Sequence, residues 1–264
     1  MFKNRIILDA QFIFNKVCVV FFSILILLAF SSQLKAQSKI IEVDAFHKVV
    51  VSPYIEVVFI AGETESVNVE SCTVSIDKLK VEVQNNVLNV YLEGAKIASG
   101  KKVKYKNGTK YKTSVYKGTV AKVEIRYKKL TELDLRGEQK FVFENNVKAE
   151  MLNLKIYGKS HVTMNQVDIQ NLQASMFGET YLEIRTGNIS SQKLTAYGES
   201  KINTLNVENE ETKLTAYGDA VFRINVSDKL KVSSYGEAII NYSGSPSVQK
   251  GLVLGETRIT NVNF

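Results

Sequence analysis

The sequence predicts an all-β chain wound as a parallel β-solenoid with coils of about 20 residues, and three observations carry that reading. The phrase "LTAYGESKIN" at Leu194 returns as "LTAYGDAVFRIN" at Leu214, an interval of 20 residues. Its glycine belongs to a series, Gly137, Gly158, Gly178, Gly198, Gly218, Gly236 and Gly255, separated by 21, 20, 20, 20, 18 and 19 residues. Around each glycine, positions of one parity keep their residue type from copy to copy while the intervening positions are mainly Lys, Glu, Thr, Asn and Arg. Alternation of period two means strands with one buried face.

The elements follow in chain order. Residues 1–36 read as a signal peptide: Lys3, Arg5 and Lys16 precede the apolar run "VCVVFFSILILLAF" from Val17 to Phe30. That run is 14 residues long, right for a secretory segment and short of the roughly 20 that a spanning helix needs. Cleavage is expected after Ala36, before Gln37; an uncleaved anchor is the alternative. Cys18 would leave with the signal peptide, making Cys72 the sole thiol of the exported chain, so no intrachain disulfide forms and the core must hold the fold. A lone Cys is usually a small buried hydrophobe.

Residues 37–264 read as a single domain. Its first part, 37–95, carries short alternating runs such as "KVVVS", "IEVVFIAG" and "NVLNVYLEG", punctuated by Gly62, Gly94 and the turn pair Asn85 and Asn86. Segment 96–129 reads as a basic hairpin or loop: it holds twelve Lys or Arg against the single acid Glu124, a balance of +11. The exported chain as a whole stands at +4, so the remainder sums to −7. A type I′ turn at Asn107–Gly108 would set Lys104 opposite Tyr111 and Val103 opposite Lys112.

The coils occupy 130–264. Four residues before the glycine stand Leu133, Leu154, Ala174, Leu194, Leu214 and Val232; four after it stand Phe141, Val162, Leu182, Ile202, Phe222, Ile240 and Ile259. A transmembrane barrel would place equivalent residues on every second strand. The near-constant interval favours direct stacking, because barrel loops are free to vary, and the parity passes through the glycine unbroken, as at a bend.

A signal peptide, the all-β stretch "AFHKVVVSPYIEVVFIAG" and coils built on "L-x-A-Y-G-x-S" together resemble the bacterial auto-transporter adhesin family of the head GIN domain. The resemblance covers about residues 42–262. It implies a right-handed β-helix-like fold in the cell envelope, found especially in Bacteroidetes, and it brings no motif that defines catalytic residues.

Candidate ligand-binding residues fall in two groups. Immediately before the glycine stand Tyr157, Phe177, Tyr197, Tyr217 and Tyr235, which parity points outward as a ladder of rings. Such a ladder could take the apolar faces of sugars, or it could be packing that covers the bend. The second group is Lys101, Lys102, Lys104, Lys106, Lys110 and Lys112 in the basic segment, suited to an anionic polymer or lipid headgroups, or else a solvated hairpin. An acidic column after the glycine, Glu138, Glu179, Glu199, Asp219, Glu237 and Glu256, is broken by Lys159 and reads as solvated turns, sparser than calcium-binding solenoid repeats.

No cofactor is expected. His47 and His161 lack Cys partners for zinc, and no strained G-x-S-x-G turn, phosphate loop or dinucleotide fingerprint occurs. The expected function is therefore a non-catalytic exported envelope protein binding a glycan, an anionic surface polymer or another protein, in the periplasm or on the cell surface. Nucleic acid is not an expected partner and the exported form has no transmembrane span. The alternative is a polysaccharide-acting enzyme on a β-helix scaffold, which the uniformly short coils disfavour because such enzymes build clefts from long loops.

Overall fold

The computed structural model describes residues 39–98, 100–106 and 109–262, with side chains placed except at 102, 104–106, 109, 111 and 112. The expected signal peptide at 1–36 and the turn at 107–108 lie outside the described residues.

The chain is a β-solenoid of about 6 turns. Its first strands are β1 (Lys39–Glu42), β2 (Lys48–Val51), β3 (Ile55–Ala61), β4 (Ser66–Cys72), β5 (Leu79–Gln84), β6 (Val87–Leu92), β7 (Lys101–Lys106), β8 (Thr109–Ser114), β9 (Ala121–Tyr127) and β10 (Glu132–Gly137). The coils are then built by β11 (Lys140–Gly158), β12 (His161–Gly178), β13 (Tyr181–Ile184), β14 (Gly187–Tyr197), β15 (Ser200–Thr204), β16 (Val207–Tyr217), β17 (Ala220–Asn225), β18 (Lys229–Tyr235), β19 (Ala238–Ser243), β20 (Ser247–Leu254) and β21 (Thr257–Asn261).

Coils stack in parallel, each residue beside its equivalent in the next. The column Phe141, Val162, Leu182, Ile202, Phe222, Ile240 and Ile259 forms one continuous ladder. Leu133, Leu154, Ala174, Leu194, Leu214 and Val232 form a second on the opposite side of the glycine bend. All but Ile259 are buried, so the two ladders line a common core. Direct pairing of equivalents is the stacked arrangement that the spacing predicts and a barrel would lack.

A buried polar cluster interrupts the apolar columns on the remaining side of the coils. Gln192 Nε2 donates to Thr212 Oγ1 at 2.9 Å, Thr212 Oγ1 donates to Asn209 Oδ1, and Asn209 Nδ2 donates to the Ile189 carbonyl at 2.8 Å. These bonds, made between side chains that the register places in neighbouring coils, offset the burial of the Gln192 amide nitrogen, the Thr212 hydroxyl and the Asn209 amide, while Gln192 Oε1 has no partner among the described residues.

The N-terminal strands extend both ladders with mixed pairing. On one side β2 joins β10 and β6 in parallel and β5 closes antiparallel on β6. On the other, β3 lies parallel to β11 and β9, then β4 and β1 add antiparallel. Phe59 stacks on Phe143 with centroids 4.3 Å apart, carrying the core across this junction.

Two polar residues fasten the junction. Gln139 occupies a column otherwise held by the smaller residues Ser160, Thr180, Ser200 and Ala220; its Oε1 accepts from the backbone N–H of Tyr54 at 2.8 Å and of Glu138 at 3.0 Å. Glu132 accepts from Lys48 at 2.9 Å and Lys155 at 3.1 Å, linking β2, β10 and β11. Burial raises its carboxyl pKa, but the two lysine hydrogen bonds outweigh it and hold the group below its usual range. A lowered folded-state pKa stabilises the fold above the unfolded value and loses that contribution as pH falls through the folded one. Glu132→Gln should therefore cost about 1 kcal/mol at neutral pH, and urea titrations should show the difference vanishing in acid; a deficit that persists in acid would mean that the charge is not responsible.

Segment 96–129 divides. Strands β7 and β8 form a separate two-stranded hairpin with Lys104 opposite Tyr111 and Val103 opposite Lys112, the register the Asn-Gly turn predicts. Strand β9 instead joins the main sheet. Around it Lys122 pairs with Glu56 at 3.2 Å, Lys128 with Glu65 at 3.5 Å and Arg126 with Glu124 at 2.8 Å.

Candidate functional site

The residue before each glycine ends a strand whose alternate side chains are buried, so it must point outward. Parallel registers then bring Tyr157, Phe177, Tyr197, Tyr217 and Tyr235 side by side. Successive ring centroids lie 4.8, 4.9, 4.8 and 4.9 Å apart, with interplanar angles of 9°, 2°, 3° and 6°. The ladder thus has the one-coil step that the sequence implies.

Its chemistry differs from one expectation. The rings stack on one another, so each inner ring has neighbours over both faces and the ladder offers few free faces to sugars. What it presents is ring edges and phenolic hydroxyls. Tyr197, Tyr217 and Tyr235 remain 39%, 40% and 37% exposed, and their hydroxyls have no hydrogen-bond partner among the described residues.

Both ends of the ladder have occupants that the ring pattern alone does not reveal. Arg136 stands before Gly137 in the same column, its guanidinium 5.5 Å from the Tyr157 ring centroid. Two hydrogen bonds to Asp134, of 2.6 and 2.8 Å, fix it there and raise its pKa, against the opposing effect of burial. At the far end Leu254 pairs with Tyr235. Extending the column one residue past the last aromatic in each direction would have found both.

Arg136 also connects the ladder to the hairpin root, donating from Nη1 to the Ile97 carbonyl at 3.3 Å. Beneath that contact is a groove of about 480 Å³ lined by Pro53, Ile97, Ala98, Arg136, Glu138 and Tyr157. On the other root, Tyr116 donates to the Glu93 carbonyl at 2.9 Å and packs edge-on against Tyr54. Of the six hairpin lysines, Lys101 and Lys110 are exposed, while the side chains of Lys102, Lys104, Lys106 and Lys112 lie outside the described residues. Their strand positions place all six on the one hairpin, apart from the ladder's strands.

Past the glycine bend the acidic column is exposed, and Glu199, Asp219, Glu237 and Glu256 line an open groove of about 790 Å³. Lys159 bridges to Glu179 at 2.8 Å. No group of three or more His, Cys, Asp or Glu among the described residues could hold a metal ion. His161 lies beside Tyr181 with ring centroids 5.6 Å apart, and Cys72 is a partly buried free thiol packed against the core. No helix among the described residues is long and apolar enough to cross a membrane.

Solved structures share this architecture. A "putative adhesin" from Bacteroides fragilis matches with a TM-score of 0.67 and 18% identity, over 85% of this chain and 96% of its own. A "putative adhesin" from Parabacteroides merdae matches at 0.61 and 20%, over 87% and 97%. A "putative lipid binding protein" from Parabacteroides distasonis matches at 0.61 and 16%, over 86% and 96%. At these identities the likeness is one of fold. No curated protein matches in sequence. The family described as "Putative auto-transporter adhesin, head GIN domain" matches residues 45–246, from β2 through β19, and it is to this family that the chain belongs.

Proposed function

We propose that the chain is an exported, non-catalytic cell-envelope protein that binds a surface polymer along the ladder face of its coils. The observation that supports this is the row of unpartnered phenols at Tyr197, Tyr217 and Tyr235, repeated at 4.8 to 4.9 Å: a surface with a fixed repeat suits a ligand with one. Export rests on the signal-like segment 1–36, with the exported form beginning at Gln37 in the periplasm or on the cell surface. The hairpin lysines supply a second contact for anionic polymers.

The enzymatic alternative would have to use the acidic groove. Its carboxylates are exposed along a groove open to solvent, whereas polysaccharide hydrolysis needs a pair of carboxyl groups flanking a sugar held in a cleft. The open groove provides no such enclosure.

The test is an array of envelope glycans and polymers probed with the exported protein, with a depolymerisation assay on every hit. Tyr197→Phe, Tyr217→Phe and Tyr235→Phe combined keep the ring stack and remove the hydroxyls. At about 0.5–1.5 kcal/mol per hydrogen bond, binding should fall at least about tenfold with little change in melting temperature. Unchanged binding would reduce the ladder to packing, and cleavage of a bound polymer would establish the enzyme reading. Replacing the six hairpin lysines with Gln forms a separate arm: it should weaken and flatten the salt dependence of binding to anionic extracts, whereas earlier melting with intact binding would make the hairpin structural.

A further inference from the structure

We infer that the polymer taken by the ladder face is an acidic polysaccharide, its anionic groups held by a lysine column beside the rings; this rests on the binding role proposed above. Three successive coils repeat the same triplet at outward parity, Lys193, Thr195 and Tyr197; Lys213, Thr215 and Tyr217; Lys231, Ser233 and Tyr235; the lysines and rings are exposed, whereas Thr195 is buried between them and Thr215 and Ser233 are half-buried. The registers set Lys193 beside Lys213 and Lys213 beside Lys231, with hydroxyls beside hydroxyls and rings beside rings.

All three lysines are exposed and none makes an ion pair among the described residues. Elsewhere the fold does pair outward lysines, as at Lys48, Lys122, Lys128 and Lys159. Strands about 4.8 Å apart hold these like charges close together, so the column gains from an anion brought from outside. The outward position two residues further back is mixed, with Ser191, Glu211 and Lys229, and leaves the face net positive.

The chemistry of the three columns selects the ligand. Ammonium groups only donate hydrogen bonds, and the exposed phenols beside them can donate too, so the ligand must bring acceptors. A neutral glycan leaves the lysines unused, whereas a chain bearing carboxylates at regular intervals meets a cation at each coil. On the other side of the rings, Glu199, Asp219 and Glu237 lie past the bend and repel an anion, confining it to the lysine side and aligning it with the solenoid axis.

The experiment compares polygalacturonate with its fully methyl-esterified form, which keeps the sugar backbone and removes the charge. The exported protein should bind the acid form at least tenfold tighter at low salt, with the preference fading as salt rises. Lys193→Gln, Lys213→Gln and Lys231→Gln combined should abolish that preference, leave binding to the ester unchanged and not lower the melting temperature. Equal binding of both polymers by the unmodified protein, or a preference that survives the lysine changes, would overturn the inference; the ladder's role would stand if the Tyr→Phe changes still weakened both. Binding of neither polymer overturns the inference, and the envelope array then judges the ladder separately. Lysine-dependent capture by phosphatidylglycerol vesicles without capture of polygalacturonate would also overturn it, in favour of a lipid surface.

Discussion

Leu182→Asp is expected to abolish the folded state at ordinary temperature. Leu182 is fully buried and lies between Val162 and Ile202 in the apolar column that runs the length of the solenoid. Removing it forfeits about 1.5–3 kcal/mol of burial. The incoming carboxylate meets only apolar column neighbours, and leaving such a group charged or forcing it to take up a proton costs several kcal/mol more. Together these approach the 5–15 kcal/mol that holds a typical domain. The coil is a middle one, so its loss separates the coils on either side, and neither set retains its stacking partner. Loss of the cooperative melting transition by circular dichroism is the expected result. Leu182→Met, which conserves volume, should cost under about 1.5 kcal/mol. An Asp variant that melts like the parent would mean that the column faces water and the solenoid assignment is wrong.

That residue was identifiable from spacing alone, and the reason shows what such spacing can reveal. A parallel stack converts sequence period into spatial neighbourhood, so columns read from the glycine become the ladders of the core, as Phe141 through Ile259 did. The same logic located the rings outside. It could not give their tilt: parity fixes which side of a strand a side chain leaves by, not which part of the ring meets solvent, so covered faces and free hydroxyls emerge only in three dimensions. The N-terminal strands were legible as strands but not as partners. Parallel β2–β6 and antiparallel β5–β6 arise from long-range pairing that no local period encodes. Gln139 was visible as a departure from a column of smaller side chains; that its amide would hold the Tyr54 backbone depended on that pairing. The lysines at 193, 213 and 231 share the repeat interval but occupy only three coils, since the same column holds Asn153 and Gln173 before them, so they stand out less in the sequence than the five rings or the dense charge of 96–129.

The glycine that reveals the repeat should also tolerate a single methyl group poorly. Gly158 holds φ at +88°, and a Cβ there would stand 2.2 Å from the carbonyl oxygen of Gly137 in the preceding coil. Neither atom is the end of a flexible side chain, so relief requires the coils to separate. Separation would strain the hydrogen bonds that Lys159 N, at 2.8 Å, and Ser160 Oγ, at 3.1 Å, donate to that same oxygen. The left-handed conformation alone costs an alanine roughly 1–2 kcal/mol, and straining those bonds adds about 1 kcal/mol for each, so Gly158→Ala should lose about 3 kcal/mol or more. Gly118 separates the two causes: its φ is +59° but a Cβ there meets nothing within 4 Å, so Gly118→Ala should pay the conformational part alone. Gly62 carries neither burden, with only the Thr64 carbonyl oxygen at 3.9 Å, and Gly62→Ala should be neutral or slightly stabilising through the unfolded chain. Urea unfolding of the three variants should therefore rank them 158, 118, 62 in decreasing loss. Equal losses at 158 and 118 would show that the repeat keeps glycine for its torsion and not for the close approach of successive coils.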